Sequence, residues 1–372
     1  MLYRSLLRPL LFCLPPESAH ELALQTCSLA LGTEWVRRLA AGRFGRAPFG
    51  KLGRFGLSFE NPVGLAAGFD KNGTGARSLS ALGFGFIEVG TVTHLAQPGN
   101  PGPRLFRLPL DRALINRLGF NNHGAAAVAE RLAAHRPDCV LGINIGKSRA
   151  VPLEAATADY LASFELLHAL ADYLVINVSS PNTPQLRELQ RADALLALLS
   201  TLQERNRQLA DKHPRGRPVP LLVKIAPDLS FLELEAIVEA AMQADLSGII
   251  ATNTTTSRDG LRTARSRVEA CGEGGLSGAP LRDRSTAMVA ALYRLARGRL
   301  TIIGTGGIFT AGDAWEKISA GASLVQIYTG FIYQGVGIVR EINDGLAEIL
   351  RRHGIGSLDE AVGCRAEELA AA

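Results

Sequence analysis

From about residue 60 the hydrophobic pattern settles into a repeat. Eight short apolar runs, rich in Val, Ile and Gly, recur along the chain: PVGLAAG (62–68), GFIEVGTV (85–92), CVLGINI (139–145), YLVINVS (173–179), LLVKIAP (221–227), GIIATNT (248–254), LTIIGTG (300–306) and LVQIYTG (324–330). Segments of helical character lie between most of them, including 157–170, 185–210, 229–244 and 280–298. Strands that are apolar almost throughout, alternating with helices, mark a parallel sheet covered on both faces. Eight of them predict a closed (β/α)8 TIM barrel of the α/β class. A doubly wound open sheet is the alternative. No G-x-G-x-x-G follows the first run, so a dinucleotide site is unsupported.

Residues 1 to about 45 have a different character. LYRSLLRPLLFCL is apolar, with Arg4 and Arg8 within it, and Pro15-Pro16 interrupts the chain. Ser18 and Glu21 have capping-box spacing and predict the start of a second helix. That helix carries Leu22, Leu24, Cys27, Leu29, Leu31, Trp35, Val36 and Leu39, a wide apolar surface. Two uses are open. The helical pair packs on the barrel, or it lies in a bilayer surface with Arg4, Arg8, Arg37 and Arg38 near lipid head groups. The expected division is a membrane-associating helical extension at 1–45 and a barrel domain at 46–372.

Composition narrows the classes. The net charge of +5 over 372 residues is small, and the cluster Arg262, Arg265 and Arg267 reads as a solvated loop. No nucleic-acid partner is expected. Cys13, Cys27, Cys139, Cys271 and Cys364 are far apart and form no C-x-x-C. That predicts no metal site, no iron–sulfur cluster and no disulfide framework, and favours a reducing compartment. No apolar run reaches the roughly 18–20 residues of a membrane span. Arg8 and Pro9 interrupt the first apolar stretch and no A-x-A site follows, so it is expected to belong to the mature protein.

Barrel enzymes place chemistry at the C-terminal ends of their strands. Here those ends carry Asp70-Lys71, Thr91, Asn144, Ser179-Ser180-Pro181-Asn182, Lys224, Thr252-Asn253-Thr254, Thr305-Gly306-Gly307 and Tyr328-Thr329. GTGGI after the seventh run and YTG after the eighth suit a phosphate cradle of backbone N–H groups, with GGLSGAP (274–280) nearby. A lysine inside an apolar strand is costly without an anionic partner. Lys224 is therefore either a Schiff-base nucleophile, as in an aldolase or isomerase barrel, or a fixed charge beside a cofactor such as a flavin. No histidine stands on a strand end, so no Ser-His-Asp triad is visible.

Taken in order, NPVGLAAGFDKNG (61–73), GFGFIEVGTVT (83–93), INRLGFNNHG (115–124), INIGKS (143–148), INVSSPNTP (176–184), VKIAPDL (223–229), ATNTT (251–255), GGLSGAPL (274–281), IIGTGGI (302–308) and GASLVQIYTGF (321–331) span nearly the whole barrel. Together they strongly resemble the class 2, quinone-dependent dihydroorotate dehydrogenases. The resemblance implies an FMN-bearing barrel that oxidises (S)-dihydroorotate to orotate in pyrimidine synthesis and passes electrons to a membrane quinone. It implies Ser180 as the base, where class 1 enzymes have cysteine, with Thr183 a candidate proton relay. Lys71, Asn177, Asn182, Asn253, Thr254 and the run Asn116, Arg117, Leu118, Gly119, Phe120 match substrate-binding positions. Ala67, Gly68, Phe69, Asp70, Lys71, Thr91, Asn144, Asn177, Lys224 and Thr252 match positions around the flavin. Gly278, Gly307, Tyr328 and Thr329 match those around its phosphate and ribityl chain. His20, Arg107 and Tyr328 are candidates to line a quinone tunnel. The implied setting is peripheral, on the cytoplasmic face of a bacterial inner membrane in preference to a mitochondrial one. No protein electron-transfer subunit is expected.

Overall fold

The structure is a computed structural model and describes residues 3–45, 48–212 and 216–370. Its centre is a closed barrel of eight parallel strands: β1 (Val63–Leu65), β2 (Phe86–Val92), β3 (Val140–Ile145), β4 (Tyr173–Asn177), β5 (Leu221–Ile225), β6 (Gly248–Ala251), β7 (Thr301–Thr305) and β8 (Leu324–Ile327). Sequence neighbours pair, and β8 closes on β1 with Val325 beside Val63. The open-sheet alternative is thereby excluded. Each apolar run contains one strand, because these residues are buried on the barrel side and on the helix side alike.

Most strands stop before their runs do. The run at 173–179 ends its strand at Asn177, because the Ser179 N–H bonds the Asn177 side chain at 3.1 Å instead of continuing the ladder. The helix expected at 229–244 is Phe231–Gln243, opened by a reciprocal cap between Ser230 and Glu233. The one expected at 185–210 begins later. A tight turn at Leu186–Gln190 precedes the helix Ala192–Gln208, and Arg191 between them is extended.

The N-terminal expectation needs correction. The segment forms α1 (Arg8–Cys13), α2 (Pro16–Ala30) and α3 (Glu34–Phe44), not a pair. α2 starts at Pro16, and Ser18 lies inside its first turn rather than capping it. Proline at the first helical position loses no hydrogen bond there. The long second helix is split at Gly32-Thr33, and Arg37 stitches the break by donating to the Leu31 and Gly32 carbonyls at 3.0 and 2.9 Å. Arg37 is therefore buried and faces protein. Arg8 donates to the Tyr333 carbonyl at 3.1 Å and Arg4 pairs with Glu341, so both fasten the segment to the barrel. The junction expected after residue 45 runs into residues 46 and 47, outside the described residues. Arg265 and Arg267 are exposed, as expected, but lie on a short helix, Arg265–Ala270.

Two accessory sheets shape the barrel's ends. A hairpin, Leu52–Arg54 with Leu57–Phe59, stops the N-terminal mouth, where Phe59 meets Phe86 edge-on at 5.5 Å between ring centres. Leu105–Leu108, Ala113–Asn116 and Gly275–Gly278 form an antiparallel sheet that carries Asn116 and Gly278 over the C-terminal mouth. Inside the barrel, the Tyr173 ring fills the space left by Gly142 on β3. A Cβ at Gly142 would sit 2.2 Å from that ring. Gly142→Ala is expected to lower stability by about 1–3 kcal/mol, the usual scale of core overpacking, seen as a lower urea midpoint. An unchanged midpoint would show that Tyr173 can move aside.

Candidate active site

Five strands project polar groups into the upper barrel, and these groups satisfy one another. Glu88 of β2 is fully buried. It accepts from Asn144 of β3 at 2.8 Å, from Gln326 of β8 at 2.5 Å and from the Tyr173 hydroxyl of β4 at 3.4 Å. One layer higher, the Thr91 hydroxyl donates to Asn144 at 2.6 Å, and the Asn177 amide donates to Thr91 at 2.9 Å and to Asn144 at 3.2 Å. Lys224 of β5 is buried beside them. Burial pushes its ammonium below the ordinary lysine value, and the Glu88 carboxylate pulls it back up. Glu88 is thus the anionic neighbour that Lys224 requires.

Above this layer lies a cavity of about 980 Å³. Ala67, Gly68 and Lys71 line it from the β1 loop, and Thr91 from β2. Asn177, Ser180 and Asn182 enter from β4, Lys224 from β5, and Thr252, Asn253 and Thr254 from β6. Asn116, Leu118, Gly119, Phe120 and Gly278 come from the accessory sheet and its flanks. Gly307, Tyr328 and Thr329 complete the wall after β7 and β8.

The two adjacent serines are separated by geometry. The Ser179 hydroxyl donates to the side-chain oxygen of Asn177 at 2.8 Å and accepts from the Asn253 amide at 2.9 Å, so it is spent inside the wall. Ser180 lines the cavity, and its hydroxyl accepts the Asn182 N–H at 3.2 Å. The Asn182 amide reaches Asn116 at 3.2 Å, joining the β4 loop to the accessory sheet. Burial pushes the Lys71 ammonium down to about 8, opposed by the carboxylates of Glu17, Asp70 and Glu21.

Four matched positions lie outside the cavity wall. Asn144 sits in the layer beneath it. The Asp70 carboxylate accepts the Thr74 and Gly75 N–H groups at 3.0 and 2.8 Å and so holds its own turn. Arg117 faces away, donating to the Cys271, Glu273 and Pro103 carbonyls over the Phe106 ring. Phe69 turns into a second cavity.

That second cavity, of about 850 Å³, separates the N-terminal helices from the barrel. Leu11, Phe12, Ala19, Ala23 and Leu24 face Phe69, Leu105 and Phe331 across it. His20 packs edge-on against Phe69 at 4.8 Å. Burial and the nearby Lys71 charge push the His20 imidazole down to about 4, so it is neutral at physiological pH. Arg107 stacks over Phe12 at 4.5 Å and donates to the Leu14 carbonyl at 2.8 Å. Tyr328 lines both cavities.

Sequence reading missed Glu88, Ser277 and Gln326. Glu88 and Gln326 carried a usable signal, a polar side chain inside an apolar strand, which is the signal that exposed Lys224.

A (β/α)8 barrel with a polar, cationic cavity at its C-terminal mouth and an apolar cavity against its side defines a barrel enzyme with two ligand entrances. The family model described as dihydroorotate dehydrogenase matches residues 52–350. The dihydroorotate dehydrogenase (quinone) of Gloeobacter violaceus is 53% identical over 363 residues, 98% of this chain and 99% of that protein. The protein of the same name from Mycobacterium tuberculosis is 50% identical over 359 residues, 96% of this chain and 97% of its own. The crystal structure of the Eimeria tenella enzyme in complex with ferulenol superposes with a TM-score of 0.84 at 38% identity, covering 94% of this chain and 95% of that one. The chain belongs to the dihydroorotate dehydrogenase family, in its quinone-dependent class. It is an oxidoreductase of pyrimidine biosynthesis that converts dihydroorotate to orotate, and the family is flavin-dependent. The aldolase reading of Lys224 is thereby replaced.

Lys71 is charged below about pH 8 and neutral above it. Orotate, an anion, is therefore expected to bind progressively more weakly as pH rises through that value, by up to about tenfold per pH unit for one linked proton. A spectroscopic orotate titration between pH 6 and about 10 checks this. A flat profile would remove Lys71 from the anion site.

Proposed function

We propose that the flavin is FMN, that Ser180 is the base and that a membrane quinone, entering by the second cavity, is the final electron acceptor. The observation that carries this reading is Tyr328, one side chain in the wall of both a polar and an apolar cavity.

The residues fit FMN. Lys71 and Lys224 both line the cavity, with side-chain amides able to serve ring carbonyl and N–H groups. The far end has a different character. Gly306 and Gly307 have φ of 127° and 74°, and a Cβ on Gly307 would fall 2.3 Å from the Arg282 side chain. That loop lies flat on the start of the helix Arg282–Ala296, and with Thr329 it suits a phosphate. Lys224 would hold the carbonyl edge of the ring, and Gly278, Gly307 and Thr329 the ribityl phosphate. When bound, FMN supplies the hydride acceptor.

Substrate would lie among Asn116, Asn177, Asn182, Asn253 and Thr254, with Lys71 opposite its carboxylate. Ser180 takes the proton from C5 of dihydroorotate as hydride departs from C6. A serine hydroxyl is a weak base and must pass the proton on; Thr183, buried on the same loop, is the proposed relay. His20 and Arg107 would meet the quinone head group in the second cavity. Neutral His20 can both donate and accept a hydrogen bond there.

The exposed Leu6, Leu7, Leu10 and Leu14 near α1, with Trp35 and Leu39 on α3, offer an apolar surface to a bilayer. Among the described residues, no helix is long and apolar enough to cross one. Docking on the cytoplasmic face of a bacterial inner membrane would let quinone pass directly from lipid to flavin, with no protein electron-transfer subunit needed.

Ser180→Ala is expected to slow flavin reduction by dihydroorotate by about 10²–10⁴-fold, the scale for losing a positioned base. Rapid mixing under anaerobic conditions measures it, and reduction at the wild-type rate would discard the assignment. Ala23→Trp, which fills the second cavity, should slow reoxidation by a short-chain quinone and spare reduction by dihydroorotate. Equal loss in both half-reactions would argue against a separate quinone entrance.

A further inference from the structure

Two runs, SSPNTPQLRELQ and VKIAPDL, contain a cation and an anion that the chemistry above leaves unused: Arg187 and Asp228. The structure brings them together. Arg187 lies in the tight turn that ends the loop after β4, and its guanidinium spends three separate edges on three acceptors. Its Nε donates to the Ser179 carbonyl at 3.1 Å. One terminal nitrogen donates to the Thr254 carbonyl at 3.1 Å, and the other to Asp228 at 3.1 Å. The three acceptors follow β4, β6 and β5. One side chain therefore ties together the loops after three consecutive strands.

Asp228 is held just as firmly. It accepts the Thr256 N–H at 3.1 Å and the Arg284 guanidinium at 2.9 Å, besides the Thr255 hydroxyl. Burial pushes its carboxyl up, but the bonds from Thr255 and Thr256 and the Arg187 charge bring it below its ordinary value. It stays ionised through the physiological range. A second tie runs parallel: Gln190, in the same turn, accepts the Ala226 N–H at 3.0 Å.

We infer that Arg187, anchored by Asp228, is a positioning residue that sets the Ser180 hydroxyl and the Thr254 backbone against the substrate. The peptide carbonyl of Ser179 and the N–H of Ser180 belong to one rigid plane. Fixing that oxygen fixes the direction in which Ser180 leaves the strand. The Thr254 carbonyl is fixed in the same way on the nearby loop after β6. Arg187 touches neither substrate nor flavin site; it acts through these two backbone groups. Lysine cannot replace it, because one ammonium on a flexible stem does not reproduce a planar fork that serves three directions. The inference rests on the reading of Ser180 as base.

The test compares Arg187→Ala, Arg187→Lys, Asp228→Asn and Ser180→Ala as flavin-loaded full-length enzymes. Flavin reduction by dihydroorotate and reoxidation by a short-chain quinone are measured separately. Arg187→Ala should slow reduction by about 10²-fold, the scale of a misplaced catalytic group, and leave reoxidation unchanged. Added guanidinium ion should restore part of the lost rate. Arg187→Lys should stay within a few-fold of Arg187→Ala, and Asp228→Asn, which keeps the two carbonyl contacts, should lose less. Wild-type reduction in Arg187→Ala would overturn the inference. So would full activity in Arg187→Lys, or equal loss in both half-reactions without guanidinium rescue. Fast reduction in Ser180→Ala alongside slow reduction in Arg187→Ala would instead sink the base assignment and leave the effect of the clasp on rate in place.

Discussion

A parallel barrel cannot bury an unpaired charge in its interior, and the upper half of this barrel contains two charged side chains. Glu88 and Lys224 approach from strands that are not neighbours, among residues that are otherwise apolar. The solution is a closed set of donors around one carboxylate: Asn144, Gln326 and Tyr173. Leaving a buried charge without its partner typically costs about 3–5 kcal/mol, a fifth or more of a domain's stability. That constraint fixes where the apolar core ends and where chemistry begins. The polar groups that line the cavity lie above the Glu88 layer; below it the barrel is packed around Phe59, Phe86 and Tyr173.

The same layer sets the electrostatics of the site. Burial lowers both ammonium groups, and the Glu88 carboxylate offsets part of this at Lys224 while Glu17, Asp70 and Glu21 offset part of it at Lys71. Glu17 and Glu21 belong to α2, so the N-terminal segment acts on Lys71 of the polar cavity through charge and on the second cavity through shape. Glu17 is itself fastened by Arg104 at 3.0 Å. The helical extension and the barrel therefore share one electrostatic unit, and Tyr328 is the wall between their two cavities.

Much of this was legible in the sequence, and the gaps have physical reasons. The eight strands showed because a barrel strand is buried on both faces and reads as a continuous apolar run. The site showed because polar residues gather at strand ends. Strand ends were overrun where a side chain, as at Asn177, takes over from the ladder. The accessory sheet was hidden because Leu105–Leu108 and Ala113–Asn116 find a third partner, Gly275–Gly278, some 160 residues away, and local pattern does not report such pairing. Glu88 was hidden among apolar neighbours, although the reasoning applied to Lys224 would have found it. The four arginines near the N-terminus suited contact with lipid or with the barrel equally well. All four bind carbonyls or carboxylates of the protein itself, which charge pattern does not distinguish from binding lipid phosphate.

On the proposed reading, one flavin held over the Glu88 layer receives electrons from the polar cavity and releases them into the apolar one. The most direct measurement is an anaerobic visible spectrum of the purified protein. Added dihydroorotate should bleach the yellow band in proportion to the protein present, and a short-chain quinone should then restore it in full. A colourless protein, or a yellow band unchanged by dihydroorotate, would contradict the account.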